Sequence, residues 1–549
     1  MTAQDTIPDR SQASPTGTFV PLRHQLFAMI WAAIVLGNIG TYMRDVASAW
    51  LVTELSSSPA AIAMIQAAGS LPFFLIAIPA GVLSDILDRR RFLIGTQAGL
   101  ALVSTILAFL ASTGTVSVTG VITLTFLGGV GTALAAPAWQ AVVLELVPRS
   151  DIKGAVALSS LGINIARAIG PALGGFLLAA LGAAAVYGIA GFCYAVVIAA
   201  LLWWRRDPDA DEGLHEHFGG ALRAGLRHAR ANRELRRVLW RAAVFFTCAS
   251  AVWALLPIVA LQEIGGGPGF YGLMLGSIGA GAIVGALLLP WMRSRLGQDR
   301  LVLAASLVTA AATVLLAMTD WEVLGLAAAF VLGTAWIAML TTLNATAQAI
   351  LPNWVRGRGL AIYLTVFNGA MAAGSLAWGL MAQATSTDVA LLVAGAGLAV
   401  VAGLAYGAVL PSGEDDLAPS LHWPEPALAE PAAYDRGPVM ITVTYRILQP
   451  DRPAFLAVLG RLSEERRRDG AYAWGVSEDA IDPERVVEWF FVESWAEHLR
   501  QHRRVSIADA SIQSEVRRFH QGPVGPTVQH LLALEPPRAG RAVTGEGAS

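Results

Sequence analysis

The spacing of apolar residues limits most strongly how this chain can fold. They gather into long runs separated by short polar breaks, and a helix needs about 20 apolar residues to cross the hydrocarbon core of a bilayer. Runs of that kind lie near 26–51, 60–84, 92–111, 119–143, 155–180, 184–204, 239–261, 270–291, 300–318, 323–349, 359–384 and 389–410. Twelve membrane-spanning helices are therefore expected. Of 549 residues, 55% are hydrophobic and 14% charged, whereas soluble domains carry roughly 25% charged residues. A net charge of −2 gives nucleic acid no electrostatic hold. Cys193 and Cys248 sit in apolar runs without CxxC or metal-ligand spacing and read as buried thiols.

Basic residues orient the spans. One set of loops holds Arg89, Arg90 and Arg91, then Arg149 and Lys153, then nine arginines over 205–241, then Arg293, Arg295 and Arg300, then Arg356 and Arg358. The alternate set holds Glu54, Glu263, Asp320, Glu322 and Asp388, with no Lys or Arg. Both termini and the central loop are thus expected in the cytoplasm. Leu222, Leu226 and Ala229, with Arg223, Arg227 and Arg230, fall at helical spacing, which predicts a basic amphipathic helix on the inner leaflet. Residues 1–20 are polar and show no cleavable signal pattern.

The spans repeat. One shift of 204 residues carries Gly81 to Gly285, Leu83 to Leu287, Arg89 to Arg293, Arg91 to Arg295, Asn164 to Asn368, Gly170 to Gly374 and Gly175 to Gly379. Two six-helix halves around a midplane cavity follow. The expected organisation is a disordered lead-in over 1–22, a first half over 23–204, a cytoplasmic loop over 205–238 and a second half over 239–411. A linker over 412–437, a small soluble domain over 438–535 and a disordered tail over 536–549 complete it.

The loop GVLSDILDRRR, residues 81–91, resembles the signature loop of the major facilitator superfamily. The resemblance implies that Gly81 and Leu83 let helix 2 pack on helix 11. It also implies that Asp85, with Arg89 and Arg90 as partners and the dipole of helix 11 nearby, latches the halves in an outward-facing state. Asp88 departs from the pattern, which has Gly there, and so does Ile86. RAIGPALGG in helix 5, residues 167–175, resembles a motif of facilitator-type exporters. Gly170, Pro171, Gly174 and Gly175 would bend and closely pack helix 5 against Gly276, Gly279, Gly281 and Gly285 of helix 8. The same glycines also suit a plain packing face. GTYMRDVASAWLV (40–52), APAWQAVVLELVP (136–148) and NIARAIGPALGG (164–175) resemble the transmembrane secretion effector family, enterobactin-exporter-like proteins of the bacterial inner membrane. Two C-terminal stretches, RRRDGAYAWGVSED and VESWAEHLRQHRRVS, fit its longer members.

Ionisable residues at mid-bilayer are costly and are functional suspects. Arg44 and Asp45 lie in helix 1 and Arg167 in helix 5. An apolar setting favours a protonated carboxyl and a neighbouring arginine an ionised one, so Asp45 with Arg167 as its partner makes a candidate proton-coupling site. A static ion pair, or Arg44 and Asp45 reaching to the interface, is the alternative. If helices 1, 4, 7 and 10 line the cavity, Asn38, Gln140, Asn344 and Gln348 are candidate substrate contacts and Trp139 and Trp336 candidate walls. A large apolar cavity suits amphipathic cargo, and no Walker A loop points to ATP.

The soluble segment changes period. MITVTYRIL, YAWGVSED, RVVEWFFVES and TVQHLLALE read as strands; PAFLAVLGRLSEERRR and the stretch from WAEHLRQHRRV through SEVRRFH read as helices. The order β-α-β-β-α-β predicts a ferredoxin-like unit, similar to the dimeric α+β barrel group. VVEWFFV reads as apolar on both faces, so a second copy covering the sheet is expected. His498 and His502 stand at i, i+4, but a third ligand is not evident and both read as lying on a wet face. No metal and no cofactor are expected.

These readings imply a non-enzymatic secondary transporter, a proton-coupled exporter of a drug, siderophore or secondary metabolite. Its partners would be the small-molecule cargo, protons, the bilayer and a second copy. A nutrient importer of the same fold, or a membrane-anchored sensor or monooxygenase-like domain, is the alternative.

Overall fold

A computed structural model describes residues 19–204, 226–352, 355–406, 409–411 and 436–533. Most of the expected lead-in, central loop and linker, and the whole tail, lie outside these residues. The described residues fall into two units, one within 1–214, 237–345 and 363–410, the other within 215–236, 346–362 and 411–549.

Among the described residues, ten helical runs are long and apolar enough to cross a membrane. Two of them, Ile152–Trp203 and Pro268–Met318, have 52 and 51 residues. At about 1.5 Å per residue each is more than twice as long as a hydrocarbon core of about 30 Å. Each is broken by a glycine with positive φ, Gly182 (79°) and Gly297 (72°), a conformation that glycine alone adopts freely. The ten runs therefore supply twelve spans: α1 (Gln25–Leu55), α2 (Pro59–Ile86), α3 (Arg89–Thr113), α4 (Val118–Glu145), α5 and α6 on either side of Gly182, α7 (Arg233–Ile258), α8 and α9 on either side of Gly297, α10 (Glu322–Ala349), α11 (Arg356–Ala384) and α12 (Thr387–Tyr406).

Local chemistry sets the starts of several helices. Ser58 accepts from the Ala61 amide with Pro59 following, and Ser117 accepts from Gly120. Asp88, the departure from the signature pattern, caps α3 by accepting from the Arg91 amide at 2.8 Å. Large apolar side chains stay exposed on the helices, among them Phe109, Phe192 and Leu287. A surface of that kind suits lipid.

One core cluster draws on all twelve spans, and always on the end without arginines. It includes Trp50 of α1, Ile62 of α2, Leu107 of α3, Val121 of α4, Tyr187 of α6, Leu255 of α7, Met274 of α8, Leu316 of α9, Leu332 of α10 and Leu391 of α12. Two smaller clusters at the arginine-bearing end draw on α1, α3, α4, α5 and α6.

The repeat is visible in packing. A Cβ on Gly170 would lie 2.7 Å from Tyr42 of α1, and one on Gly374 2.2 Å from Ser250 of α7. Gly175 meets Pro268 and Gly272 at the start of α8, and Gly379 meets Pro59 and Ala63 at the start of α2. Asn164 and Asn368 each donate to a carbonyl one turn back, at 2.9 Å. The arginines do not follow the shift of 204. Arg89 opens α3, whereas Arg293 and Arg295 still belong to α8, before the break at Gly297.

In the second unit, β1 (Val439–Arg446), α13 (Arg452–Arg468), β2 (Ala473–Glu478), β3 (Arg485–Val492), α14 (Trp495–Arg504), α15 (Ile507–Arg517) and β4 (Thr527–Leu532) follow the expected order. The sheet runs β2-β3-β1-β4, antiparallel throughout. The second helix of the sequence reading is two. Ser506 forms a capping box with Asp509 and starts α15 afresh. Val443, Tyr445 and Val486 pack on Phe455 and Leu459 of α13.

Contrary to the apolar reading of β3, its inward face holds Glu488. This side chain is fully buried and accepts from Trp474 Nε1 (3.0 Å), Tyr445 Oη (3.1 Å) and Arg466 Nε (3.3 Å). His498 is also not on a wet face: it is 1% exposed. Burial, with the rings of His502 and His530 close by, pushes it down to about 3, so it is neutral at physiological pH. The expected basic helix is described only over 226–231, where Arg227 pairs with Glu493 at 3.2 Å.

Candidate functional site

A cavity of about 470 Å³ lies among the first six helices. Most of its wall is aliphatic; the polar groups that matter are Asn38 and Thr41 of α1, Gln97 of α3, Trp139 and Gln140 of α4, and Tyr194 of α6. Asn38, Trp139 and Gln140 thus line it. Trp336 does not: it is 7% exposed, with its ring against Trp253 (5.1 Å), Phe246 (5.2 Å) and Phe245 (6.4 Å). Asn344 and Gln348 lie on α10 and are not part of this wall, and Gln348 is exposed. The helices that line this cavity are α1, α3, α4, α5 and α6. Gln97, buried at 5% exposure, and Tyr194 were not singled out from sequence. An amide alone in an apolar run was the available signal for Gln97.

A line of polar groups leads from this wall to the intramembrane charges. Thr41 Oγ1 and Tyr194 Oη share a hydrogen bond of 2.9 Å. Arg44 Nη1 donates to the same Tyr194 oxygen at 3.4 Å, and Arg44 Nη2 donates to Asp45 Oδ1 at 2.9 Å. Arg44 is 2% exposed, while the Asp45 side chain is about half exposed. Adjacent residues on a helix point about 100° apart, so Arg44 enters the packed bundle while Asp45 stays near its edge. The long arginine stem closes the gap. Gly128 of α4 makes room: a Cβ there would lie 2.7 Å from Arg44 Nη1.

The expected pairing of Asp45 with Arg167 is not the one observed. Arg167 Nε donates to Tyr42 Oη at 3.4 Å, and Asp45 is held by its own neighbour Arg44. Helices 1 and 5 do meet, but through glycines: Gly170 on Ile39 and Tyr42, Gly174 on Met43.

The helix 5 motif also meets α8. Gly175 and Gly272 approach backbone to backbone, and Gly276 and Gly279 lie against Ala172 and Ala168. Gly281 and Gly285 turn to α10 instead, against Phe330 and Thr334. Pro171 is buried within α5.

At the signature loop, Arg89 pairs with Glu145 at the end of α4 and donates to the Ser84 carbonyl. Arg90 donates to the carbonyls of Leu201 and Leu202 at 2.7 and 2.8 Å. Both expected latch partners are thus engaged inside the first half. The Asp85 side chain lies outside the described residues. A Cβ on Gly81 would meet open space, so no tight contact is made there.

The family model for transmembrane secretion effectors matches residues 16–538. The chain belongs to this family. The family and this chain's relatives are membrane transporters of the major facilitator type, and they point to a transporter rather than an enzyme. The chain is 25% identical over 265 residues to macrolide efflux protein A of Streptococcus pyogenes, an alignment covering 48% of this chain and 65% of that protein. It is 23% identical over 262 residues to the staphyloferrin A transporter of Staphylococcus aureus, covering 47% and 66%. The chain therefore matches just under two thirds of the length of these relatives. In fold it is similar to a bacterial homologue of the human lysosomal transporter Spinster in an inward-facing conformation (TM-score 0.58, 14% identity, 70% of this chain and 97% of that one). It is also similar to the nucleoside transporter NupG (TM-score 0.59, 13% identity, 70% and 99%).

Proposed function

We propose that this transporter exports a small amphipathic molecule, a drug, siderophore or secondary metabolite, in exchange for protons. The supporting observation is the hydrogen-bonded line from the cavity wall to Asp45 through Thr41, Tyr194 and Arg44. Cargo that bonds to Tyr194, or to Thr41 beside it, competes for the Tyr194 oxygen that holds Arg44. An Arg44 displaced from Tyr194 turns to Asp45 alone and opposes a proton there; a proton on Asp45 in turn releases Arg44 toward Tyr194, where it opposes cargo. Cargo and proton then compete through one guanidinium, as exchange requires. The apolar wall with a few amides suits amphipathic cargo, and the relatives' names cite a macrolide and staphyloferrin A.

The arginine-bearing end faces the bacterial cytoplasm in this reading, with both termini inside. The sealed arginine-free end is then the outer gate, and the state is inward-facing. Asp85 is the proposed latch residue of the outward-facing state.

Direction is tested with vesicles of opposite sidedness and a macrolide probe. Export predicts energised accumulation in everted vesicles and none in right-side-out ones. Accumulation only in right-side-out vesicles would establish an importer.

A further inference from the structure

We propose that the sheet domain carries a divalent transition-metal site formed by His498 and His502 of α14 and His530 of β4. Ligand atoms of the three rings all lie within 4.8 Å of one another. The helix spacing of His498 and His502 brings their Nε2 atoms to 3.2 Å. Two nitrogens on one tetrahedral ion, each about 2.0–2.1 Å from it, stand about 3.3 Å apart, so this pair already has the required bite. His530 reaches the group from a different element, on the edge strand opposite Ile441. Its ring centre is 4.7 Å from that of His498.

The setting is built rather than incidental. His498 is 1% exposed, and its Nδ1 has no hydrogen-bond partner among the described residues. Trp495 packs against both His498 (5.4 Å) and His530 (5.9 Å) and fixes the rings' neighbourhood. His502 and His530 are half-buried, which leaves a path for an ion from solvent. Arg466, whose charge acts on His498, is paired with fully buried Glu488.

Three imidazoles without a thiolate or carboxylate select ions of intermediate softness, Zn²⁺, Co²⁺, Ni²⁺ or Cu²⁺, and reject Mg²⁺ and Ca²⁺. Three protein ligands leave a fourth position for water. An ion here ties the last strand to α14, segments with no covalent closeness, and so stiffens the domain when bound. His530 completes the set by a side-chain rotation on the edge strand.

The test uses the full chain in detergent, without a polyhistidine tag, after chelator treatment. Titration with Co²⁺ should give one saturable site with visible ligand-field absorption, displaced by Zn²⁺. His530→Gln should weaken it by more than about 100-fold, the upper end of what losing a mere supporting partner costs. His520→Ala, remote in the same domain, should leave it unchanged. Zn²⁺ should raise the melting temperature of the native chain but not of His530→Gln. Absence of saturable binding by either ion would overturn the proposal and leave a hydrogen-bonded histidine pair. So would binding that survives both His498→Ala and His530→Gln.

Discussion

At the scale of single residues, the charges of α1 carry the argument. A buried guanidinium persists in an apolar bundle only when its hydrogen bonds are met, and Arg44 meets them with Asp45 and Tyr194. Tyr194→Phe removes a bond to a charged group, worth about 1.5–3 kcal/mol. It should weaken apparent cargo affinity by about tenfold and shift the pH profile of transport, with the protein still folded. An unchanged profile would remove Tyr194 from the coupling route. Sequence made Arg44, Asp45 and Arg167 visible because charges inside apolar runs stand out. It left their pairing open, since a long arginine can reach several partners and the choice depends on Gly128 and Tyr194, which are remote in the chain. Asn38, Trp139 and Gln140 line the cavity among the first six helices, while Trp336 sits among other rings; an indole in a span looks the same in sequence in either setting.

Among the elements, the close approach of α5 and α8 is the proposed seal of the arginine-free end. Gly175 and Gly272 leave no space for side chains, so Gly175→Val should force the helices apart. Cysteines placed near the arginine-free ends of α5 and α8 should then label faster from that side, and transport should fall. Labelling at the native rate would show that the seal lies elsewhere. A second prediction concerns α13 of the sheet domain. Burial, with Asp509 adding to it, pushes Glu465 up to about 9 from an ordinary 4.5. The folded domain therefore binds a proton that the unfolded chain releases. The stabilisation is complete below about 4.5 and declines as pH rises toward 9. Glu465→Gln should flatten that decline, read from melting of the sheet domain in the full chain; an unaltered slope would count against a protonated Glu465. Helix positions were legible from apolar run length, and the twelve expected runs each match a span. The break between α14 and α15 was missed because the helical period continues across Val505, while Ser506 and Asp509 interrupt it by capping.

For the whole molecule, the repeat of six helices was readable from the glycine and asparagine shift, and packing repeats it at Gly170 and Gly374. The arginine part of the shift misled: positive charge is needed at both loops, but its position relative to the break is not held by packing. The sheet of the small domain turns Val439, Ile441 and Phe490 toward its helices. Val487, Trp489 and Phe491 alternate to the other face and stay half-buried, with Trp489 and Phe491 ring centres 6.1 Å apart. A second copy on that face is the proposed partner; Trp489→Glu should convert a dimer to monomers in light scattering, and a monomeric native chain would exclude it. The central claim is exchange of cargo for protons at Asp45. Its most direct test is proteoliposomes carrying the native chain or Asp45→Asn, given a pH gradient and a macrolide probe. The native chain should accumulate the probe against its gradient, while Asp45→Asn should still exchange probe for probe without accumulating it. Accumulation by Asp45→Asn at the native level would contradict the account.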